Sequence, residues 1–304
     1  MAELKIAILG PGGVGGFLAG ALERAGAEVT VVARASTAET IARDGVRIES
    51  VVLGELVARP AATARLDDDV DVLVVATKAA GLDEALARVA GEPALVVPLL
   101  NGLDHLPKLR ERFGTRAVAG TIRIEADRPA PGVVVQTSPG VRVELASADP
   151  ERRPAMERFA AALRDGGVTA SVEEREAQVL WSKLARLNAL ACTTTAFDLP
   201  LGEIRSDPER RAALEGCVRE TAATANADGA SIDPDTTLAE LDAAHATLGS
   251  SMRRDVAAGR APELDAIPGA VLRAAARHGV AAPTVAALAD AIARRAGVPA
   301  PSLG

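Results

Sequence analysis

The chain has 304 residues, 48% of them hydrophobic, and a formal net charge of −7, a length that can bury two sizeable cores. Aromatic residues make up only 2%, with one Trp and no Tyr, so those cores have to be built from Ala, Val and Leu. Acidity and the scarcity of aromatics together exclude a basic, base-stacking surface, and no nucleic-acid partner is expected.

Two cysteines, Cys192 and Cys217, make no disulfide framework, and the histidines do not stand at zinc spacing with them. No metal site is expected. No charged, apolar and cleavage segments follow one another in secretory order, and no apolar run reaches bilayer-spanning length. The expected setting is a reducing cytoplasm, away from membranes.

In chain order, an apolar run at 6–9 breaks into glycines at Gly10, Gly12 and Gly15, then resumes with helical spacing through Phe17, Leu18, Ala21 and Leu22. A strand, G-x-G-x-x-G and a helix together form a dinucleotide cradle. The first glycine permits a tight turn, the second lets backbone approach a pyrophosphate, and the third lets helix pack against strand. Gly10, Gly12, Gly13, Val14 and Gly15 are the expected contacts, aided by unpaired amides at the helix start. A second strand at 29–33 ends in Arg34, where an NAD site would carry Asp or Glu about 20 residues beyond the glycines. An arginine there can fork onto a 2′-phosphate, so NADP(H) is the expected cofactor.

A helix is expected over 37–43, with short strands at 46–52 and 55–58. The β-branched run 70–77 reads as a strand buried on both faces, followed at once by Lys78. A helix at 82–89 leads to a strand at 94–99 that ends at Asn101-Gly102. Lys78 and Asn101 thus fall at strand carboxyl ends, the edge where open α/β sheets bind ligands. A helix at 103–113, a strand at 117–124, a closing pair at 132–137 and 141–144, a helix at 154–164 and a strand at 168–172 complete this half. From Glu174 to Arg295 the periodicity is helical. The reading is α/β, with an N-terminal Rossmann-type dinucleotide-binding domain at 1–172 and an all-helical C-terminal domain at 173–304.

Lys183 lies in the helical half among Leu180, Trp181, Leu184 and Leu187, where burying an ammonium is costly without a use for it. Further on, Ser250-Ser251 and Glu263 flank a loop-like stretch. They can converge on one site from two helix starts, or simply satisfy helix-terminal amides; spacing alone leaves both open.

Taken together, Gly10 to Gly16, Arg34, Thr77-Lys78, Asn101-Gly102, Trp181-Ser182-Lys183-Leu184, Ser250-Ser251-Met252 with Asp255, Glu263 and Asp265, and the closing Ala276-Arg277-His278-Gly279-Val280 resemble the ketopantoate reductase (2-dehydropantoate 2-reductase) family. The resemblance implies reduction of a 2-oxo acid by NADPH on the route to pantothenate. It implies that Lys183 is the catalytic general acid and that Glu263 orients substrate and lysine. Ser251 would help hold the substrate, Asn101 would lie near nicotinamide and substrate, and Arg34 and Lys78 would contact the adenosine end.

Two positions depart from the family pattern, which places asparagines four and eight residues after the lysine; here they are Leu187 and Ala191. Asn188 is one residue late, rotated about 100° around a helix. Asn188 and Thr194 are taken as candidate replacements in substrate binding. The resemblance implies a small branched 2-oxo acid as substrate, ketopantoate first; the alternatives are another 2-oxo acid or an NADPH-binding sensor without turnover. The Ala- and Leu-rich helices can also present an apolar face for a homodimer.

Overall fold

A computed structural model describes residues 4–302. The first half runs β1 (Lys5–Leu9), α1 (Gly13–Arg24), β2 (Glu28–Val32), α2 (Ala35–Asp44), β3 (Val46–Ser50), β4 (Gly54–Ala58), β5 (Ala61–Thr63), β6 (Val72–Val75), α3 (Leu82–Leu86), β7 (Leu95–Pro98), α4 (His105–Phe113), β8 (Ala119–Arg123), β9 (Ala126–Ala130), β10 (Val133–Gln136), β11 (Arg142–Ala146), α5 (Arg153–Asp165) and β12 (Thr169–Glu173). Seven helices come next: α6 (Glu176–Phe197), α7 (Leu201–Ser206), α8 (Pro208–Ala227), α9 (Pro234–Ala243), α10 (Ser251–Ala257), α11 (Ala270–His278) and α12 (Pro283–Ala296). Among the described residues no helix is long and apolar enough to cross a membrane.

Packing divides the chain into two compact units. One holds the described residues up to Leu100 with His105–Val179; the other holds Asn101–Asp104 with the residues from Leu180 onward. The division falls inside α6, beyond the end of β12 where the sequence pattern placed it, and the four residues 101–104 belong with the helices.

In the first unit a five-stranded parallel sheet has the order β5-β2-β1-β6-β7. Its central strands are buried on both faces, with Ile8, Val31, Leu73, Val74 and Val97 wholly enclosed, as β-branched runs in parallel sheets require. α1 packs between this sheet and a four-stranded one of order β4-β3-β10-β9. Small residues make that double contact possible. A Cβ at Gly15 would stand 2.2 Å from the Gly10 carbonyl oxygen, and one at Gly20 would stand 2.2 Å from Ile48 Cδ1.

The strands at 132–137 and 141–144 do not close on each other as expected. β10 pairs with β3 and β9, whereas β11 pairs with β12 and β8 in a separate three-stranded sheet. The intervening segment explains this. Gln136 Nε2 donates to Ser138 O at 2.5 Å and Ser138 Oγ donates to Gly140 O at 3.0 Å; with Pro139 lacking a donor, the chain turns out of one sheet into the other. β9 and the short β5 were not anticipated, since Pro129 interrupts the β9 run and is tolerated only because that strand is an edge.

The second unit is helical, with a core of small and branched side chains: Leu214, Cys217, Val218, Leu241, Ile267, Val271, Val285 and Ile292 are fully enclosed. Its helix starts obey ordinary capping chemistry. Asp207 accepts from the Arg210 amide, and Asp233 accepts from the amides of Asp235 and Thr236.

Candidate active site

The glycine turn is assembled at the carboxyl end of β1. Gly10, at φ 95°, turns the chain with its amide on Val32 O at 3.0 Å, which ties the turn to the end of β2. α1 opens at Gly13, and its first closed bond runs from the Gly16 amide to Gly12 O at 2.8 Å, so the amides of Gly13, Val14 and Gly15 precede the hydrogen-bonded ladder. Open space lies above Gly12, where an added Cβ would meet nothing within 4 Å. Gly13 differs: a Cβ there would stand 2.7 Å from Ala126 O, so this glycine also lets β9 close against the start of α1. Nearby, Thr77 Oγ1 is buried without a hydrogen-bond partner. Open space over Gly12, helix-start amides outside the ladder and an orphaned hydroxyl together suit a pyrophosphate.

Arg34 directly precedes α2, just past β2, and its side chain is exposed. Its guanidinium is engaged by Glu84 on α3, Nε to Oε1 and Nη2 to Oε2, each at 3.3 Å. Lys78 lies just beyond β6 and is exposed.

In the second unit, Lys183 lies on α6 and is partly buried. Two residues earlier, Trp181 is 1% exposed and donates its indole N–H to Asp228 Oδ2 at 2.8 Å, while His278 Nε2 lies 2.7 Å from Oδ1 of the same carboxylate. The indole bond fixes the rotation of the α6 turn that bears the lysine.

Asn101 and Glu263 meet, although 162 positions separate them: Asn101 Nδ2 donates to Glu263 Oε2 at 3.0 Å. Contacts just downstream of each residue hold the two backbones close. Gly102, at φ 88°, lies so near the 265–269 turn that a Cβ would fall 2.1 Å from Ala266 O. Arg273 donates to Asp104 Oδ2 at 2.6 Å and to Asp265 Oδ1 at 2.8 Å, joining both segments. Burial of this guanidinium works to lower its pKa, but its hydrogen bonds to Asp104 and Asp265 outweigh that and raise it, so it stays charged.

The turn itself, Asp265–Gly269, is a π-helix containing Pro268. Proline has no N–H for the Leu264 carbonyl, and the Gly269 amide takes that carbonyl instead at 3.0 Å. The wider turn results from that missing donor.

Ser250 proves to be a helix cap. Its Oγ accepts from the Arg253 amide at 3.1 Å and lies 2.9 Å from Thr194 Oγ1, which donates to Leu190 O at 2.6 Å. Ser251, the first residue of α10, is exposed.

The structure corrects the expectation for Asn188 and Thr194, both fully buried. Asn188 Nδ2 donates to Thr221 Oγ1 at 2.9 Å, and its Oδ1 accepts from the Cys192 thiol at 3.3 Å. The Thr194 hydroxyl is satisfied by Leu190 and Ser250. Each forms part of the helical core, for the reason the one-residue offset implied: the face that Asn188 presents turns toward α8 and away from the Lys183 side of α6.

Sequence reading did not find Glu84, Asp228 or Arg273. All three act through a partner far along the chain, and none has a local pattern. Gly102 was the exception in principle, since a glycine after a polar strand-end residue signals a backbone that L side chains rarely adopt.

A parallel sheet with a glycine cradle at β1–α1, followed in the chain by a helical unit bearing a lysine and a paired carboxylate, defines a dinucleotide-dependent oxidoreductase acting on a CH–OH/C=O group. The chain belongs to the ketopantoate reductase family: the Ketopantoate reductase PanE/ApbA model matches residues 6–149 and the PanE/ApbA C-terminal model matches residues 177–302. The 2-dehydropantoate 2-reductase of Caulobacter vibrioides is 32% identical over 287 residues, covering 92% of this chain and 94% of the relative. A solved 2-dehydropantoate 2-reductase of Geobacter metallireducens superposes with a TM-score of 0.87 at 26% identity, covering 96% of this chain and 99% of that one. A D-mandelate dehydrogenase solved with NADH and anilino(oxo)acetate has the same fold, with a TM-score of 0.87 at 22% identity over 97% of this chain and 98% of that one.

Proposed function

We propose that the protein is an NADPH-dependent reductase of a small branched 2-oxo acid, 2-dehydropantoate (ketopantoate) to pantoate in pantothenate biosynthesis being the leading assignment. The observation that carries this reading is the Asn101–Glu263 hydrogen bond of 3.0 Å. It joins two family-motif residues into one polar pair in the same helical unit as Lys183. The family match over both halves of the chain supports it.

Reduced nicotinamide would supply the hydride. Gly10, Gly12, Gly13, Val14 and Gly15 would hold the pyrophosphate through backbone amides, with Arg34 and Lys78 at the 2′-phosphate end. As hydride reaches C2, charge develops on the carbonyl oxygen; the Lys183 ammonium stabilises it, gives it a proton and is left as the amine. Glu263, held by Asn101, orients substrate and lysine, and Ser251 offers a hydroxyl and a helix-start amide to the substrate carboxylate.

A second reading, reduction of a different 2-oxo acid, is favoured by one observation. Leu187 and Ala191 replace the expected asparagines, and the two candidate replacements, Asn188 and Thr194, are buried in the core. Loss of NADPH absorbance, followed with ketopantoate beside other 2-oxo acids including the one that corresponds to mandelate, decides between the readings. Ketopantoate turning over well above the rest supports the first; another acid in front supports the second. Intact NADPH binding with no turnover of any acid would instead indicate a sensor. Lys183→Ala should lower kcat by about a thousandfold while NADPH binding changes little; turnover near wild type removes the assignment of Lys183.

A further inference from the structure

The guanidinium of Arg34 already has a partner. Glu84 engages it along one edge, with both nitrogens at 3.3 Å from separate carboxylate oxygens. Glu84 Oε1 also accepts from Arg88 Nη2 at 2.9 Å, four residues along the chain. The hydrogen bond from Arg34, then that from Arg88, hold the Glu84 carboxyl below the usual carboxylate range, so it is anionic throughout the neutral region.

A guanidinium can meet an oxyanion along either of two edges. With Glu84 on the Nε/Nη2 edge, a 2′-phosphate arriving at Arg34 either displaces that carboxylate or takes the remaining edge, and in both cases it lies close to the negative charge of Glu84. Arg88 keeps the carboxylate nearby, so phosphate binding is penalised without being blocked. A 2′-hydroxyl brings no such conflict, and a carboxylate is the group that such a hydroxyl donates to in NAD sites.

Resting on the reading of Arg34 as the 2′-phosphate contact, we infer that Glu84 is a specificity-determining residue that lowers the preference for 2′-phosphorylated over unphosphorylated cofactor. Its side chain is exposed and its ion pairs are with these two arginines, and exposed ion pairs contribute little to fold stability. Its effect is therefore on cofactor choice and not on folding.

The test compares binding of adenosine 2′,5′-bisphosphate and of 5′-AMP to wild type and Glu84→Gln by calorimetry, with KM for NADPH and NADH measured in parallel. Glu84→Gln should tighten the bisphosphate about 3- to 10-fold and change 5′-AMP by less than about twofold, with KM for NADPH falling relative to NADH. An unchanged ratio between the two ligands overturns the proposal. Asp83→Asn is the charge control, because Asp83 pairs instead with Lys108 at 2.5 Å; an equal shift in both variants would mean that net charge alone is responsible, which also overturns it. Arg34→Ala distinguishes failure of the Arg34 assignment from failure of the Glu84 one. If the 2′-phosphate preference survives loss of Arg34, the reading of Arg34 fails, and the role of Glu84 with it. If Arg34→Ala abolishes the preference while Glu84→Gln leaves it unmoved, Arg34 stands and Glu84 falls.

Discussion

Asn101 Nδ2 donates to Glu263 Oε2 across 3.0 Å, and each residue is partly buried. The amide therefore fixes which carboxylate oxygen remains open to other donors. Asn101→Ala should reduce kcat/KM for the 2-oxo acid by about 10- to 100-fold, because a carboxylate free to rotate loses its orientation. Glu263→Gln should cost at least as much. Steady-state kinetics with each varied substrate check both, and undiminished kcat/KM in either variant would detach this pair from the chemistry.

Asn188 gives the opposite expectation. Its side chain is fully enclosed and bonded to Thr221 and Cys192, so Asn188→Ala should destabilise the protein by about 1–3 kcal/mol through the partners left unsatisfied. KM for the 2-oxo acid should stay within about twofold of wild type. Urea unfolding together with kinetics tests this; a large rise in KM without loss of stability would return Asn188 to the substrate.

Gly102 combines a φ of 88° with a Cβ position 2.1 Å from Ala266 O. Gly102→Ala should lower stability by about 2–4 kcal/mol, as strain adds to a steric clash with backbone. Activity should fall with it, since Asn101 cannot keep its place on Glu263 once the 265–269 turn is pushed away. Thermal unfolding and kcat/KM measured on the same preparation should therefore move together.

Asp198, the described non-glycine residue with positive φ, accepts from Arg253 Nε at 2.9 Å and pairs with Arg295. The hydrogen bond from Arg253, helped by the charges of Arg295 and Arg253, holds its carboxyl below the ordinary value. A carboxyl whose folded pKa is lowered stabilises the protein fully above its unfolded pKa, and that contribution is lost as pH falls through the folded one. Asn tolerates positive φ at least as well as Asp, so Asp198→Asn tests the charge without adding backbone strain. The variant should be less stable by about 0.5–1 kcal/mol at pH 7, with the gap closing in acid. Denaturant midpoints at pH 7 and near pH 3 read the difference directly; a gap that persists in acid would show that charge is not its source.

The buried strands β1, β2, β6 and β7, the glycine turn and the succession of helices after β12 were legible because each is a local pattern. Period-two and β-branched runs, glycine spacing and capping acids all act within a few residues of themselves. The outer sheets were less so. β9 carries Pro129, β5 has three residues, and the pairing of β10 with β3 joins segments more than eighty positions apart.

Among the candidate site residues, the chemistry of single positions could be read in the chain, but their company could not. That Gly12 leaves open space, and that Arg34 stands just past β2, come from a turn and a strand end. That Asn101 reaches Glu263, that Glu84 occupies Arg34, and that Asp228 receives Trp181 depend on which segments fold against which. Asn188 and Thr194 show the same limit from the other side, since a polar residue on a helix can face substrate or core and the choice belongs to the neighbouring helix. By itself the sequence determined the glycine turn between strand and helix, the arginine just past the second strand and the helix that bears Lys183, because backbone turns and helical periodicity are short-range. Only the tertiary structure decided which carboxylate each donor meets, because a hydrogen bond between distant residues forms only where packing brings both groups to within about 3 Å.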